Sequence, residues 1–534
     1  MTERQSSTWS PLRLSLFRAL WLAAVASNVG TWMHNVGAEW LMTTLAPTPF
    51  LVALMQTAET APTFLLALPA GALADIVDRR RLLLFSQAWM LFAAVALAVS
   101  TLAGLTNPTV LLLLTFALGL GAAMNAPAWQ AIVPELVPRG ELTAAVSLNS
   151  VAFNIARAVG PALGGLVVAA AGPWAVFLLN SLSFVGVILV LYRWRRESVE
   201  SISPTERVVG AMRAGLRYTR HAPELRNVLV RTGVFALCAS ALWAMMPLVA
   251  RTELGLGAFQ YGVLLGCLGA GAIAGTFALS WARRNLSTNL LVVLGTILFA
   301  GATAALGYLT NYALLCGALF AGGAAWMTTM SSLNISVQTV VPEWVRARAL
   351  ALYLLAFFGS LAVGAAVWGA LAERVGLAVT LFTAATAHLI GLAATPFFPL
   401  RGGEGLDLNP SLHWSEPTFV HEPRPEGGPV LVTVEYLIDP ERAFEFARAM
   451  QDSKRIARRD GATRWGLFAD TARPGRYLET FLVESWAEHM RQHARVTNED
   501  RAVHERVRSF HIGDTPPVVT HLVAENSEWK RGRQ

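Results

Sequence analysis

Three ionisable side chains stand inside long apolar runs of the sequence: Glu39, Glu59 and Arg157. A charge at the centre of a bilayer costs roughly 2.5–3.5 kcal/mol on insertion scales, so such groups usually face a hydrated cavity or one another. The chemistry open to them is proton exchange. Burial raises a carboxyl's affinity for its proton, and an arginine drawn close lowers it again. Glu59 is therefore the expected protonatable group, Arg157 its alternating partner, and Glu39 a further acid of the same kind. A static ion pair between Glu59 and Arg157 is the competing reading. His34 and His388 are weaker candidates, since a lone histidine in a helix is usually just hydrogen-bonded.

Each of these groups has polar company at helical spacing. At about 100° per residue, Asn28, Trp32, Asn35 and Glu39 fall within a narrow arc. Gln56, Glu59, Thr60 and Thr63 make a wider stripe, and Ser147, Ser150, Asn154 and Arg157 a third. Three polar faces on three helices imply a hydrated surface that they share.

The elements that must position these faces are membrane spans. Of 534 residues, 54% are hydrophobic and 14% charged, whereas a soluble domain carries roughly 25% charged residues. The net charge of +7 sits in particular loops, and no basic helix interleaved with aromatics offers a nucleic-acid surface. Cys238, Cys267 and Cys316 lie in apolar segments without metal-ligand spacing, so neither a metal site nor a disulfide framework is expected. A spanning helix needs about 20 mostly apolar residues. Twelve such segments occur, near 17–44, 50–77, 82–104, 108–133, 142–171 and 173–193, then 227–250, 258–281, 288–309, 311–340, 347–373 and 377–399. The opening "MTERQSSTWSPLRLSLFRAL" lacks a short apolar core with a cleavage site and reads as a cytoplasmic tail before a retained span.

Arginines orient the array. Arg79, Arg80 and Arg81, then Arg139, then Arg193, Arg195 and Arg196, then Arg283 and Arg284, and finally Arg346 and Arg348 follow alternate spans. The opposite loops are nearly bare, apart from Arg251 and Arg374. The positive-inside rule then puts both ends of the membrane region in the cytoplasm. At 1.5 Å per residue, Glu59 falls roughly 14 Å below the outer boundary, near mid-membrane, with Glu39 close to the outer interface and Arg157 in the outer half.

The spans divide six and six. Residues 1–193 form the first bundle, 194–226 a basic cytoplasmic linker, 227–400 the second bundle, 401–428 a flexible linker and 429–534 a separate domain. In the basic linker Val208, Met212 and Leu216 share a face, with Arg207, Arg213, Arg217 and Arg220 around them. That pattern suits an amphipathic helix on the inner leaflet, or a solvated linker helix. An internal repeat supports the division: "VPELVPRGEL" at 133–142 recurs as "VPEWVRARAL" at 341–350, with Gln130 and Gln338 three residues upstream. Repeated halves around a midplane site are a common transporter construction.

The last domain reads as soluble. "VLVTVEYLI" alternates like a strand, and Asp439 with Pro440 supplies an N-cap and a first-turn proline. Ala443, Phe446, Met450 and Ala457 form the apolar stripe of a helix, and "RWGLFAD" and "RYLETFLVE" a hairpin. "SWAE" and "TNED" look like capping boxes of two short helices, before a last strand in "PVVTHLV". Strand, helix, strand, strand, helix, strand is the order of a ferredoxin-like α+β domain.

Two motifs carry a family resemblance. Gly71, Leu73, Asp75, Arg79, Arg80 and Arg81 lie between the second and third spans, and Gly160, Pro161, Gly164 and Gly165 on the fifth. Over about residues 10 to 400 the chain resembles the major facilitator superfamily, and most its siderophore and drug exporter branch (enterobactin-exporter-like, or transmembrane secretion effector, proteins). It departs from the family's pattern at Ile76 and Asp78 in the first motif, at Ser147 and Ala156 in the second, and in having no arginine on the fourth span. The resemblance implies that the first motif latches the two halves together on the cytoplasmic side when the site opens outward. A carboxylate at a facing helix N-terminus is worth about 0.3–2 kcal/mol. It implies that the second is an antiporter signature, in which small residues let helix backbones approach closely. It also implies a cavity lined by the first, fourth, seventh and tenth spans. Asn28, Trp32, Asn35, Asn125, Trp243, Met246, Trp326 and Met330 lie on these and would suit a bulky, partly aromatic substrate.

The last domain resembles antibiotic-biosynthesis-monooxygenase-like dimeric barrels. Trp465, His489 and His493 are candidates for a pocket there, though histidines on short helices are usually surface, and no cofactor motif is visible. Dimerisation or regulation fits this domain better than catalysis. The whole reads as a multi-pass inner-membrane exporter of a hydrophobic small molecule such as a drug or siderophore, working by alternating access with protons as partner. An importer and a membrane-tethered enzyme or sensor are the competing readings.

Overall fold

The computed structural model describes residues 9–46, 48–194, 208–400, 406–414, 417 and 423–524, with backbone only for 68, 72, 74–76 and 208–214. Two compact units emerge, one drawn from Met1–Pro204, Leu229–Ile335 and Ala351–Leu400, the other from Thr205–Val228, Ser336–Leu350 and Arg401–Gln534.

Long helices make up the first unit. They are α1 (Ser15–Leu45), α2 (Pro49–Ile76), α3 (Arg79–Leu102), α4 (Pro108–Leu136), α5 (Leu142–Ala171) and α6 (Pro173–Arg193). After α7 (Val208–His221) come α8 (Pro223–Leu248), α9 (Ala258–Asn285), α10 (Thr288–Tyr308), α11 (Tyr312–Thr339), α12 (Glu343–Val375) and α13 (Leu377–Gly391). Among the described residues, eleven helical segments are long and apolar enough to cross a membrane. Helix α1 is not among them, although it has 31 residues; Asn28, His34, Asn35 and Glu39 interrupt its apolar run.

Local chemistry sets the helix ends. Asp78, where the family pattern has glycine, accepts from the Arg81 backbone N–H at 2.9 Å and caps α3. Asn107 does the same for α4 through Val110, and Pro49, Pro108 and Pro173 open their helices where no N–H is needed. Gly172 at φ +93° ends α5, and Gly376 at φ +87° precedes α13. These are matching corners of the two halves, each needing the left-handed backbone that glycine allows. Phe92, Phe277, Trp281, Tyr308 and Phe397 are widely exposed on the outside, which suits contact with lipid.

The second unit holds one four-stranded sheet in the order β2-β3-β1-β4, with β1 Val430–Leu437, β2 Arg464–Ala469, β3 Arg476–Val483 and β4 Val518–Val523. Every pairing is antiparallel. Helices α14 (Ala443–Asp460), α15 (Trp486–Arg495) and α16 (Asn498–Arg508) accompany it. Val430, Val432, Phe481, Val483 and Trp486 form one core cluster, and Tyr436, Phe446, Met450 and Phe510 another. A buried carboxylate joins them: Glu479 accepts from Trp465 Nε1, Tyr436 Oη and Ser453 Oγ at 2.8–3.1 Å. Helix α7 belongs to this unit. Its buried Tyr218 lies under the Arg459 guanidinium and edge-on to Trp344. Leu216, expected on the apolar stripe, is exposed, and the side chains of Val208 and Met212 lie outside the described residues.

Candidate functional site

A cavity of about 770 Å³ opens among α1, α3, α4, α5, α6 and α11 of the first unit. Its polar wall is mostly amides: Asn28 from α1, Gln87 from α3, Asn125 and Gln130 from α4, and Asn149 and Asn154 from α5. Arg157 adds the single charge among the lining residues, and Trp129, Phe153 and Met327 supply apolar surface. Some amides are already oriented. Asn125 Oδ1 accepts from Gln87 Nε2 at 3.1 Å, and Asn154 Nδ2 donates to the Ser150 carbonyl at 2.9 Å. Arg157 is almost buried, with its Cζ 6.0 Å from the Trp243 ring and its Nε without a hydrogen-bond partner. An amide wall with one fixed cation and aromatic patches can hold an apolar body carrying hydrogen-bonding or anionic groups.

Of the eight residues expected to line the cavity, Asn28 and Asn125 do so and the other six do not. Trp326 packs at 5.5–5.9 Å against Phe235, Phe299, Trp243 and Phe357 inside the second half. His388 closes that cluster, accommodated between Phe235 and Phe299. Met246 is fully buried, and the Met330 carbonyl accepts from Tyr353 Oη at 3.4 Å. The correction has a simple cause: one residue is a turn of 100°, so with Trp326 committed to the core it is Met327 that reaches the cavity. Trp32 sits against Gly160 on α5, and Asn35 Nδ2 donates to Glu59 Oε2 at 3.3 Å.

Glu59 and Arg157 are not brought together. Glu59 is held by Asn35, its Oε1 buried and unpartnered, while Arg157 faces the cavity and Trp243. The static ion pair is therefore absent from this structure. Glu39 accepts from Tyr261 Oη of α9, and Trp40 stacks on the same tyrosine at 5.8 Å. Arg251, just past α8, donates to Thr43 at 3.2 Å and to Thr44, with its guanidinium over Trp40. Thr57 Oγ1 on α2 donates to the Ala362 carbonyl on α12 at 2.9 Å. These contacts join the halves at the end of the unit that carries Glu39. Tyr261 and Thr57 gave no sequence signal; Arg251 did, as an exception to the charge bias.

The second motif is the seam. A Cβ on Gly165 would meet the Ala258 carbonyl at 2.4 Å, one on Gly164 would meet the Met33 backbone at 2.8 Å, and one on Gly262 the Pro161 carbonyl at 2.4 Å. Only glycine allows α5 to lie this close to α1 and α9. The first motif stays within one half. Arg79 pairs with Glu135 at 2.8 Å and donates to the Ala131 carbonyl, Arg80 donates to the carbonyls of Leu191 and Tyr192, and Arg81 is exposed. Leu73 packs against the core of α1, α3, α4 and α6, Gly71 has open space beside it, and the side chain of Asp75 lies outside the described residues.

In the second unit Trp465 and the two histidines have different polar partners. Trp465 donates to Glu479, whereas His489 and His493 meet His521 of β4. His489 is 1% exposed, so it is a buried residue and not the surface one expected from its short helix. Burial, with the neighbouring histidines adding to it, pushes His489 and His493 down to about 4.

Relatives agree with the membrane architecture. The chain is 25% identical over 405 residues to the multidrug efflux pump Tap of Mycolicibacterium fortuitum, covering 73% of this chain and 96% of that one. It is 25% identical over 387 residues to the enterobactin exporter EntS of Escherichia coli O1:K1 / APEC, covering 70% and 89%. Its fold is similar to a bacterial homologue of the iron transporter ferroportin in the inward-facing state, with a TM-score of 0.56 at 16% identity over 73% of this chain and 99% of that one. The family of transmembrane secretion effectors matches residues 6–529. The chain therefore belongs to the transmembrane secretion effector family of MFS proteins, multi-pass membrane transporters.

Proposed function

We propose that this protein exports a hydrophobic small molecule, of the drug or siderophore kind, by alternating access coupled to protons. The observation that carries the reading is the cavity of about 770 Å³ with its amide wall and single arginine, beside a seam that ties the halves at the Glu39 end. Two relatives named as a multidrug efflux pump and an enterobactin exporter support the direction and the substrate class. In this reading α1 is the twelfth span, the halves are six-helix bundles of residues 1–193 and 227–400, and both termini face the cytoplasm. Glu59 takes up the proton: its unpartnered oxygen has room for one, and Asn35 can turn its amide to either protonation state. Arg157 binds substrate in the cavity and is the alternating partner of Glu59, which it meets by movement of α2 against α5 within the first half. Asp75 and Arg79 to Arg81 form the opposite gate, which closes as the Glu39 end opens.

The tail is a ferredoxin-like module in this reading, and the sheet order β2-β3-β1-β4 supports it. Its open face carries the exposed Phe468, Val518 and Leu522, which suits a homodimer with a regulatory role. The test of function is a compound-accumulation panel in cells with and without the protein, each with and without an uncoupler. Lower accumulation that the uncoupler abolishes is expected; identical accumulation for every compound rejects export.

A further inference from the structure

Three histidines from two elements converge in the tail. His489 and His493 are one helical turn apart on α15, and so share a face. His521 on β4 stands opposite the buried Val432 of β1, and so on the same side of the sheet as that core residue. One ring nitrogen from each lies within 4.8 Å of the others. We propose that His489, His493 and His521 form a binding site for one divalent first-row transition-metal ion of the zinc type.

The spacing of the His489–His493 pair fits ligation better than a direct hydrogen bond between the rings. His489 Nε2 and His493 Nε2 are 3.4 Å apart. Two nitrogens at 2.0–2.1 Å from a tetrahedral zinc stand about 3.3–3.4 Å from each other, whereas a good hydrogen bond between them would be shorter. Behind His489, Nδ1 lies 3.3 Å from Gln492 Oε1. With Gln492 presenting its oxygen, Nδ1–H donates to it and Nε2 keeps its lone pair for an ion. Trp486 flanks His489 and His521 at 5.6 and 6.2 Å, and Trp414 meets His493 edge-on at 5.1 Å. The rings are thus held in place before any ion arrives. A set of imidazoles without carboxylate suits zinc, copper, nickel or iron and not magnesium or calcium. Three ligands leave a fourth position for water or an incoming donor. Burial holds all three histidines below their ordinary range, with the neighbouring histidines adding to it at His489 and His493, which leaves them in the neutral form that binds metal.

The test uses the full chain without a polyhistidine tag, purified in detergent, stripped with a chelator and titrated with Co²⁺. Expected is one ion per chain with the visible absorption of a four-coordinate Co²⁺ site, displaced by Zn²⁺ and untouched by Mg²⁺. The double variant His493→Asn/His521→Asn should lose that band while its tryptophan-fluorescence melt stays cooperative; His413→Ala, outside the cluster, should keep it. Gln492→Leu should weaken binding about 10–100-fold without changing the stoichiometry. Absence of the Co²⁺ band in the wild-type chain, or its survival in the double variant, overturns the proposal. Should the double variant not fold, His493→Asn alone decides, because that side chain is only partly buried.

Discussion

At the scale of single residues the transport half of the molecule turns on two carboxyls with different partners. Glu59 faces an amide and an empty lone-pair direction, while Glu39 is tied to a tyrosine on the other half. Glu59→Gln should therefore abolish uncoupler-sensitive efflux while leaving the protein folded and inserted; full efflux in that variant rejects the coupling role. Tyr261→Phe removes a donor to Glu39, a change worth about 1.5–3 kcal/mol if the acid is charged. It should loosen the Glu39 end, so a Thr43→Cys reporter, buried in this state, becomes more than about tenfold faster to label; an unchanged rate would show that the contact is not a latch. In the second unit, His221, His413, His489, His493, His504 and His521 are all held below their ordinary range, first by burial. An unfolded chain takes up protons at these sites near pH 6.5, before the folded one does, so the module loses stability as the pH falls from there towards 4. Buried Asp460 and Glu479 are pushed up and act in the opposite sense, but they are two against six. The melting temperature followed by tryptophan fluorescence should be lower at pH 5 than at pH 7.5.

At the scale of elements the seam between the halves depends on the close approach of α5 to α9. Gly165 and Gly262 put backbone against backbone there, where a single methyl meets a carbonyl oxygen. Gly262→Val should cost about 1–3 kcal/mol by overpacking and cut efflux, because the seam cannot close. Gly301→Ala, on α10 with nothing within 4 Å, is the matched control and should change neither expression nor efflux. Helix α15 has two jobs on its two faces. One presents His489 and His493; the other holds Glu488 between Arg217 of α7, Arg491 and Arg495, with Arg495 lying 4.4 Å from the Trp344 ring. Two of those partners, Arg217 and Trp344, lie in chain segments outside residues 429–534, so the linker helix is part of the tail's own structure. That was not legible from the linker's sequence, where the arginines looked like a charge belt.

At the scale of the whole molecule, removal of residues 429–534 separates accessory from regulatory roles. The regulatory reading expects lost efflux with intact insertion; unchanged efflux makes the tail accessory. Apolar runs, proline and asparagine at helix starts, glycine corners and the order of the tail's strands were all set by neighbouring residues, and a sequence carries such information directly. Hydropathy and period-3.6 patterning fix which residues share a helix face. They do not fix how far each helix is rotated about its axis once packed. That rotation made Trp326 core and Met327 cavity wall, gave Glu59 an asparagine in place of Arg157, and brought His521 to two histidines on another element. Packing decides it because filling the interior with large side chains is a property of all the helices together, and no single one of them encodes the answer.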